Sequence, residues 1–329
     1  MSFRNWFAIL MLVWGAPLAA HAGASSEKCR VLAALPAVHA ITSALAEGTG
    51  IETIRLPEGA AVPMEAQANA LARLQSGVFM KAEAVVTLRS LWRADPLYPA
   101  ARRRNLRIVE IDASRSWDAA KPGLSMLETP KDNVPWAVPP GPDAGPSPYA
   151  WLSPDNGMRM AALIAADLER LSRPDANRIR QNLAALEGRL RRLKAEYGAR
   201  MAAQRDPRVL SLAGEFAYML GDFGVFVEGW YLKQDVDWSD GDRSALSRYL
   251  HERGIRLVVH KWKPDERIVE AIEKGGARLL VLDAGNPGLL SDETRAYEAL
   301  LKWNMDALLT ALADAAGDEA RDTGHPPRR

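Results

Sequence analysis

Short apolar runs alternate with amphipathic helical patterns in the first third of the chain, and this alternation limits the possible folds more than any other feature. Four runs are predicted to be strands: 30–35 (RVLAAL), 51–56 (IETIRL), 84–88 (AVVTL) and 106–111 (LRIVEI). Helices are predicted at about 37–46 and 65–76. Strands and helices that alternate at this spacing form a parallel sheet covered by helices on both faces.

The same alternation returns in the second half of the chain. Strands are predicted at 208–213, 225–232, 255–260 and 278–283. Helices are predicted at 243–253, 265–274 and 292–313. We therefore predict an α/β protein with two doubly wound parallel-sheet domains. Ligands of open parallel sheets bind beyond the carboxyl ends of the strands, so a ligand cleft is expected between the two domains.

A loop and a long helix separate the two sets of strands. Residues 112–148 are rich in Pro and Gly and indicate a long loop. A helix predicted at 174–205 would be about 48 Å long, which indicates a rigid connection between domains. The predicted domains are thus 23–173 and 206–313. Residues 314–329 carry little apolar side-chain surface and are expected to be disordered.

The N-terminal 22 residues have the three parts of a secretory signal peptide. Arg4 precedes an apolar run at 6–14, and the small-residue end is Ala20-His21-Ala22. We expect cleavage after Ala22 and export to the periplasm. Cys29 is the only cysteine, which excludes an internal disulfide and a cysteine metal cluster.

Neither the charge nor the motifs of the chain point to nucleic acid or to catalysis. The 42 basic and 41 acidic residues give a net charge of +1, so nothing electrostatic favours nucleic acid. The sequence has no Gly-x-Ser-x-Gly elbow, phosphate-binding loop, His-Glu-x-x-His or dinucleotide-binding glycine pattern. We therefore expect a binding protein and not an enzyme.

Four stretches resemble the metal-binding solute-binding proteins of ABC importers, the zinc and manganese uptake class. The most specific is YAWLSPDNGMRMAALIAADL with the helix that follows it. RVLAALPAVHAITSALAEG, EFAYMLGDFGV, and LLVLDAGNPG with KWNMDALLTAL are similar to further family segments. The resemblance covers nearly the whole mature chain. It implies a periplasmic receptor, expected to be a monomer, that delivers a transition-metal ion to an ABC permease and its ATPase.

The residues at the family's ligand positions identify the chain as a divergent member. Four side chains hold the ion in this family, and the resemblance puts their positions at Met64, Tyr149, Ala213 and Asp283. Only Asp283 is of the expected type. A thioether, a phenol and a methyl group do not form a site for zinc or manganese. The resemblance therefore implies a receptor with an altered ligand site.

Neighbouring residues offer a relocated metal site as one alternative. His39, Glu215 and His260 lie near the ends of predicted strands, and with Asp283 they would supply two imidazoles and two carboxylates. Met64 with either histidine would suit copper in its softer, monovalent state. Histidines at strand ends can equally be hydrogen-bonded structural residues.

An aromatic cleft is the second alternative. Tyr149, Trp151 and Trp262, with Met64, could line a site for an organic molecule or a metal chelate. Aromatic side chains also supply buried area in any core, so packing alone could explain them. The functions left open beside the transition-metal receptor are a receptor for an organic molecule or metal chelate, and a periplasmic metal chaperone.

Overall fold

Two four-stranded sheets form the centre of the protein. The computed structural model describes residues 28–59, 62–118, 122–139, 141, 145–286 and 296–322. The strands of the first sheet are β1 (Cys29–Ala33), β2 (Ile51–Arg55), β3 (Ala84–Thr87) and β4 (Val109–Asp112), in the order β2-β1-β3-β4. Those of the second are β5 (Arg208–Ser211), β6 (Phe226–Trp230), β7 (Leu257–His260) and β8 (Arg278–Val281), in the order β6-β5-β7-β8. All pairings between these strands are parallel, which confirms the predicted fold class.

Helices cover the faces of both sheets and connect them. They are α1 (Pro36–Ala46), α2 (Gln67–Ala72), α3 (Ser76–Met80), α4 (Leu97–Arg102), α5 (Pro154–Leu171), α6 (Ala176–Ala202), α7 (Ala217–Asp222), α8 (Asp240–Arg253), α9 (Glu266–Lys274) and α10 (Ala296–Asp322). The long helix α6 links the two domains and packs against α1, α5 and α10. Among the described residues, no helix combines the length and the apolar composition needed to cross a membrane.

Several element boundaries differ from the sequence prediction. The helix predicted at 65–76 is broken into a 3-10 turn at Met64–Ala66, α2 and α3, because Gln75 has an extended backbone (φ −65°, ψ 143°). The strand predicted to begin at 106 begins at Val109, and Leu106 is exposed.

The C-terminal helix is longer than predicted. Residues 314–322 continue α10, so the prediction of a disordered tail from 314 is wrong for this part. Three of these nine residues are alanine, the strongest helix former, which favours a helix without needing an apolar face. Residues 323–329 and the predicted signal peptide lie outside the described residues.

The Pro-rich segment predicted to be a loop contacts the second domain. We call its described parts, 122–139 and 145–148, the strap. Its two arms pair at Glu128 and Pro146, and between the arms Asn133 donates its backbone N–H to the Trp230 carbonyl at 3.1 Å. The Asn133 side chain in turn accepts the Trp230 N–H at 2.7 Å. The strap thus satisfies backbone groups of the edge strand β6.

Candidate functional site

A cavity of about 190 Å³ lies at the carboxyl ends of three neighbouring strands of the second sheet. The loops after β5, β6 and β7 supply its walls at residues 212–215, 232–234 and 260–262. The strap and the residues that follow it close the other side, at residues 129 and 147–149. The cavity therefore lies where open parallel sheets bind ligands, and side chains from both halves of the chain contact it.

Two lysines of the cavity wall are paired with carboxylates. The Lys261 ammonium is 2.5 Å from Glu215 Oε1, and the Lys233 ammonium is 2.9 Å from Asp242 Oδ2. Lys261 Nζ also lies 4.5 Å from the centre of the Trp262 ring, a cation–π contact. The cavity is therefore bordered by fixed ammonium groups.

His260 is held in one orientation at the end of β7. Its Nδ1 accepts the backbone N–H of Lys261 at 2.7 Å, and its Nε2 is 3.8 Å from Asp235 Oδ1. Burial lowers the His260 pKa, although the charge of Asp235 opposes the shift. The imidazole is accordingly neutral at pH 7, with its proton on Nε2. The same Asp235 accepts a hydrogen bond from Trp262 Nε1 at 3.2 Å, which fixes the indole beside the imidazole.

Tyr149 lies between the cavity and the loop after β8. The Asn286 side chain donates to the Tyr149 hydroxyl at 3.2 Å and accepts the backbone N–H of Met64 at 2.9 Å. Burial and the nearby charge of Glu215 raise the pKa of Tyr149 well above its usual range. Without a bound metal, the phenol is therefore a neutral hydrogen-bonding group at physiological pH.

Four of the eight candidate residues come together in the cavity. Tyr149, Glu215, His260 and Trp262 all line it. The other four do not line the cavity. Met64 is buried in the core. Trp151 is fully buried, and its Nε1 donates to the Ala284 carbonyl at 2.9 Å.

His39 and Asp283 are also outside the cavity. His39 borders a groove beside β2, with Nε2 3.4 Å from Ser43 Oγ. Asp283 Oδ1 accepts the Gly285 N–H at 2.7 Å, and the Asp283 main chain pairs with Asn304. Among the residues that the structure describes, His39, Glu215, His260 and Asp283 form no group arranged to hold a metal.

Sequence reasoning missed the two lysines. Lys233 and Lys261 each follow the apolar run of a predicted strand directly, and a residue at that position in a parallel sheet faces the ligand edge. Their position at the strand ends was the signal that could have identified them as ligand-facing residues. Their residue type gave no such signal, because lysine is common on protein surfaces.

The residues of the cavity do not fit a transition-metal ion. Of the four family positions, Tyr149 and Ala213 line the cavity and offer a neutral phenol and a methyl group. Within the described part of the chain, no group of three or more His, Cys, Asp or Glu side chains is arranged to hold a metal. The Lys261 ammonium already neutralises the Glu215 carboxylate. A divalent cation there would face a like charge and too few ligands.

Comparison with known proteins gives one family and several relatives. A family model described as the periplasmic component A of the zinc-uptake complex, ZnuA, matches residues 103–311. The metal ABC transporter substrate-binding lipoprotein FimA of Streptococcus parasanguinis is 22% identical over 174 residues. The manganese ABC transporter substrate-binding lipoprotein PsaA of Streptococcus pneumoniae is 23% identical over 175 residues. Each match covers 50% of this chain and 55% of the relative, so the chain spans about half the length of these curated relatives.

Solved structures match over a longer part of the chain. The solute-binding protein FpvC from Pseudomonas aeruginosa in complex with Mn²⁺ has a TM-score of 0.67 and 19% identity, and the match covers 88% of this chain and 99% of that one. The Zn(II)-bound ZnuA-like domain of Streptococcus pneumoniae AdcA has a TM-score of 0.64 and 18% identity, with 87% and 99% covered. At these identities the likeness concerns the fold. Because the family model covers more than half of the chain and the fold agrees with it, the protein belongs to the ZnuA family of periplasmic metal-uptake binding proteins, as a divergent member.

Proposed function

We propose that the protein is the periplasmic solute-binding receptor of an ABC importer and that it delivers its ligand to a permease and its ATPase. One observation carries this proposal: the cavity lies at the carboxyl ends of β5, β6 and β7 and is closed by Tyr149 from the other half of the chain. A cavity built from both halves suits a receptor that encloses a solute. The family and the predicted signal peptide agree with this role, and we propose no catalytic activity.

The proposed ligand contacts are the four candidate residues of the cavity, with Lys261 added. The names of the relatives refer to metal and manganese transport, and the family description to zinc. The ion pair of Lys261 with Glu215 supports a cargo other than a bare zinc, manganese or copper ion. An organic molecule, free or as a metal chelate, suits the aromatic and ammonium groups of the wall better.

The proposal is tested on the secreted protein, purified from the periplasm without chelators. Native mass spectrometry and elemental analysis should find no stoichiometric metal ion held by the protein alone. The loaded receptor should stimulate the ATPase of the importer encoded beside its gene, reconstituted in vesicles. Absence of that stimulation contradicts the receptor role. A stoichiometric bare ion that is lost in Asp283→Ala contradicts the altered ligand site.

A further inference from the structure

The ion pairs of the cavity are oriented with the lysine outward. The Lys261 side chain is 29% exposed and its partner Glu215 is 9% exposed. The Lys233 side chain is 32% exposed and its partner Asp242 is 12% exposed. In both pairs the lysine is the more exposed partner. Each pair is neutral as a whole, and its positively charged member is the one more open to a ligand.

The Lys261 ammonium keeps donors for a ligand after pairing with Glu215. A lysine ammonium has three N–H donors and no acceptor. One of the Lys261 donors is bonded to Glu215 Oε1, and Lys261 lines the cavity. An anionic ligand can bind this group without breaking the existing ion pair.

The indole of Trp262 provides a flat wall beside this ammonium. Its Nε1 donates to Asp235, its ring lies 5.0 Å from the ring of His260, and Lys261 Nζ lies over its face. Three contacts thus hold the ring in place, while 41% of the residue stays exposed. A ring fixed in this way can stack against a flat group of a ligand with little loss of side-chain entropy.

We propose that the cavity binds a small organic anion, whose carboxylate or similar oxyanion pairs with Lys261 and whose flat portion stacks on Trp262. Lys233 adds positive charge from the loop after β6, on the other side of β5. The inference rests on the proposed receptor function and names its class of cargo. A cavity of about 190 Å³ is smaller than the roughly 300–1,000 Å³ of drug-sized sites, which limits the ligand to a small molecule.

An organic cation fits the same residues less well. It would need the carboxylate of Glu215, which is paired with Lys261 and lies near Tyr149. The cation would have to displace the Lys261 ammonium from a contact of 2.5 Å and leave that ammonium without its partner. The anion requires no such exchange.

Three probes of one shape and different charge separate these possibilities. Benzoate, benzamide and benzamidine are negative, neutral and positive, and each carries a flat ring. Binding to the mature chain is measured by calorimetry and by the change in tryptophan fluorescence. We expect benzoate to bind and benzamidine and benzamide not to. Citrate and ferric citrate are tested as a second pair of probes, and they show whether the cavity binds a free anion or a metal chelate.

Lysine variants assign the binding to the cavity. Lys261→Met should weaken benzoate binding by about tenfold or more, since it removes the charged partner. Lys263→Met is the matched control, because Lys263 is two residues away, exposed, paired with Glu266 and absent from the cavity wall. If Lys261→Met does not fold, the double variant Lys261→Met with Glu215→Gln is measured instead. It also removes the charge of the Glu215 carboxylate, which loses its partner in the single variant.

Four results would overturn the inference. The first is tighter binding of benzamidine than of benzoate. The second is stoichiometric binding of Mn²⁺ or Zn²⁺ added alone, with loss in Asp283→Ala. The third is absence of carboxylate binding at millimolar concentration. That result would exclude an organic anion as the ligand, and the ATPase measurement would still test the receptor role. Equal benzoate affinity in Lys261→Met and the parent protein would also contradict it.

Discussion

Trp151 belongs to the Trp-Leu-Ser-Pro stretch, and its contacts connect distant parts of the chain. Its indole is fully buried and donates to the Ala284 carbonyl at 2.9 Å, in the loop after β8. The Trp151 carbonyl accepts the Tyr297 hydroxyl of α10 at 2.6 Å. At the scale of single residues, Trp151 joins the loop after β8 and α10 to the core.

Trp151→Phe should destabilise the protein by about 2–4 kcal/mol. The change removes the only indole donor to Ala284 O that the structure records and leaves a small void in a packed core. Urea unfolding followed by far-UV circular dichroism measures the loss. Trp303→Phe is the control, because Trp303 is 44% exposed on α10. Equal midpoints for the two variants would contradict the structural role of Trp151.

Asp95 gives the protein a pH-dependent stability. Its carboxylate accepts the backbone N–H groups of Leu88 and Leu97, each at 3.0 Å, and it is 3% exposed. Burial raises the pKa of Asp95 to about 6, although these two hydrogen bonds oppose the shift. The folded state therefore binds the proton more tightly than the unfolded chain, where the pKa is about 3.9. The stability from this group is complete below about pH 4 and is lost as the pH rises through about 6.

Asp95→Asn should remove this dependence. The free energy of unfolding of the parent protein minus that of the variant should fall by about 2–3 kcal/mol between about pH 4 and pH 7. Chemical denaturation at several pH values measures the difference. The exposed Asp237→Asn serves as the comparison. A difference that rises with pH would show that the direction of the shift is wrong.

At the scale of elements, Gly157 allows α10 to approach α5 closely. The ring of Tyr297 lies so near that a Cβ on Gly157 would be 2.7 Å from its Cε1 atom and would overlap its hydroxyl. That hydroxyl bonds the Trp151 carbonyl, so the ring cannot move without breaking the bond. The glycine is therefore a packing requirement between two helices.

Gly157→Ala should destabilise the protein by about 1–3 kcal/mol, since it introduces this overlap. Gly198→Ala is the matched control in α6, where an added Cβ meets no atom within 4 Å. Alanine is the better helix former, so the control should stabilise by about 0.5–1 kcal/mol. Thermal and urea unfolding measure both. Stabilisation by both substitutions would contradict the close packing of Tyr297.

The elements that the sequence predicted correctly are those whose signal is local. The apolar runs that become β1 and β3 are buried on both faces, and such runs are typical of parallel sheets. The strap was predicted only as a loop, because its contacts with β6 and the residues after it use single side chains such as Asn133 and Asp132 and leave no periodic pattern. The pairing of Lys261 with Glu215 joins residues 46 positions apart. It could not be predicted either, because a contact between two distant side chains leaves no local pattern in the sequence.

At the scale of the whole molecule, one hydrophobic core connects both sheets. Val31 and Ile111 of the first sheet and Val209 and Val259 of the second belong to the same buried cluster, which also includes side chains of α6. Two smaller clusters lie apart from it: one contains Leu97 of the first domain and the other contains Leu246 of the second. Because the largest core is shared, the domains are expected to unfold together.

The shared core predicts a single cooperative unfolding transition to which both domains contribute. Leu97→Ala and Leu246→Ala each remove a fully buried side chain from a cluster of one domain and should cost about 2–5 kcal/mol. If the domains are coupled, each variant shifts the whole urea transition, with circular dichroism and tryptophan fluorescence coincident. Leu106→Ala, at a 74% exposed position, should leave the midpoint unchanged. Two separate transitions, each sensitive to only one of the buried substitutions, would mean that the shared core does not couple the domains.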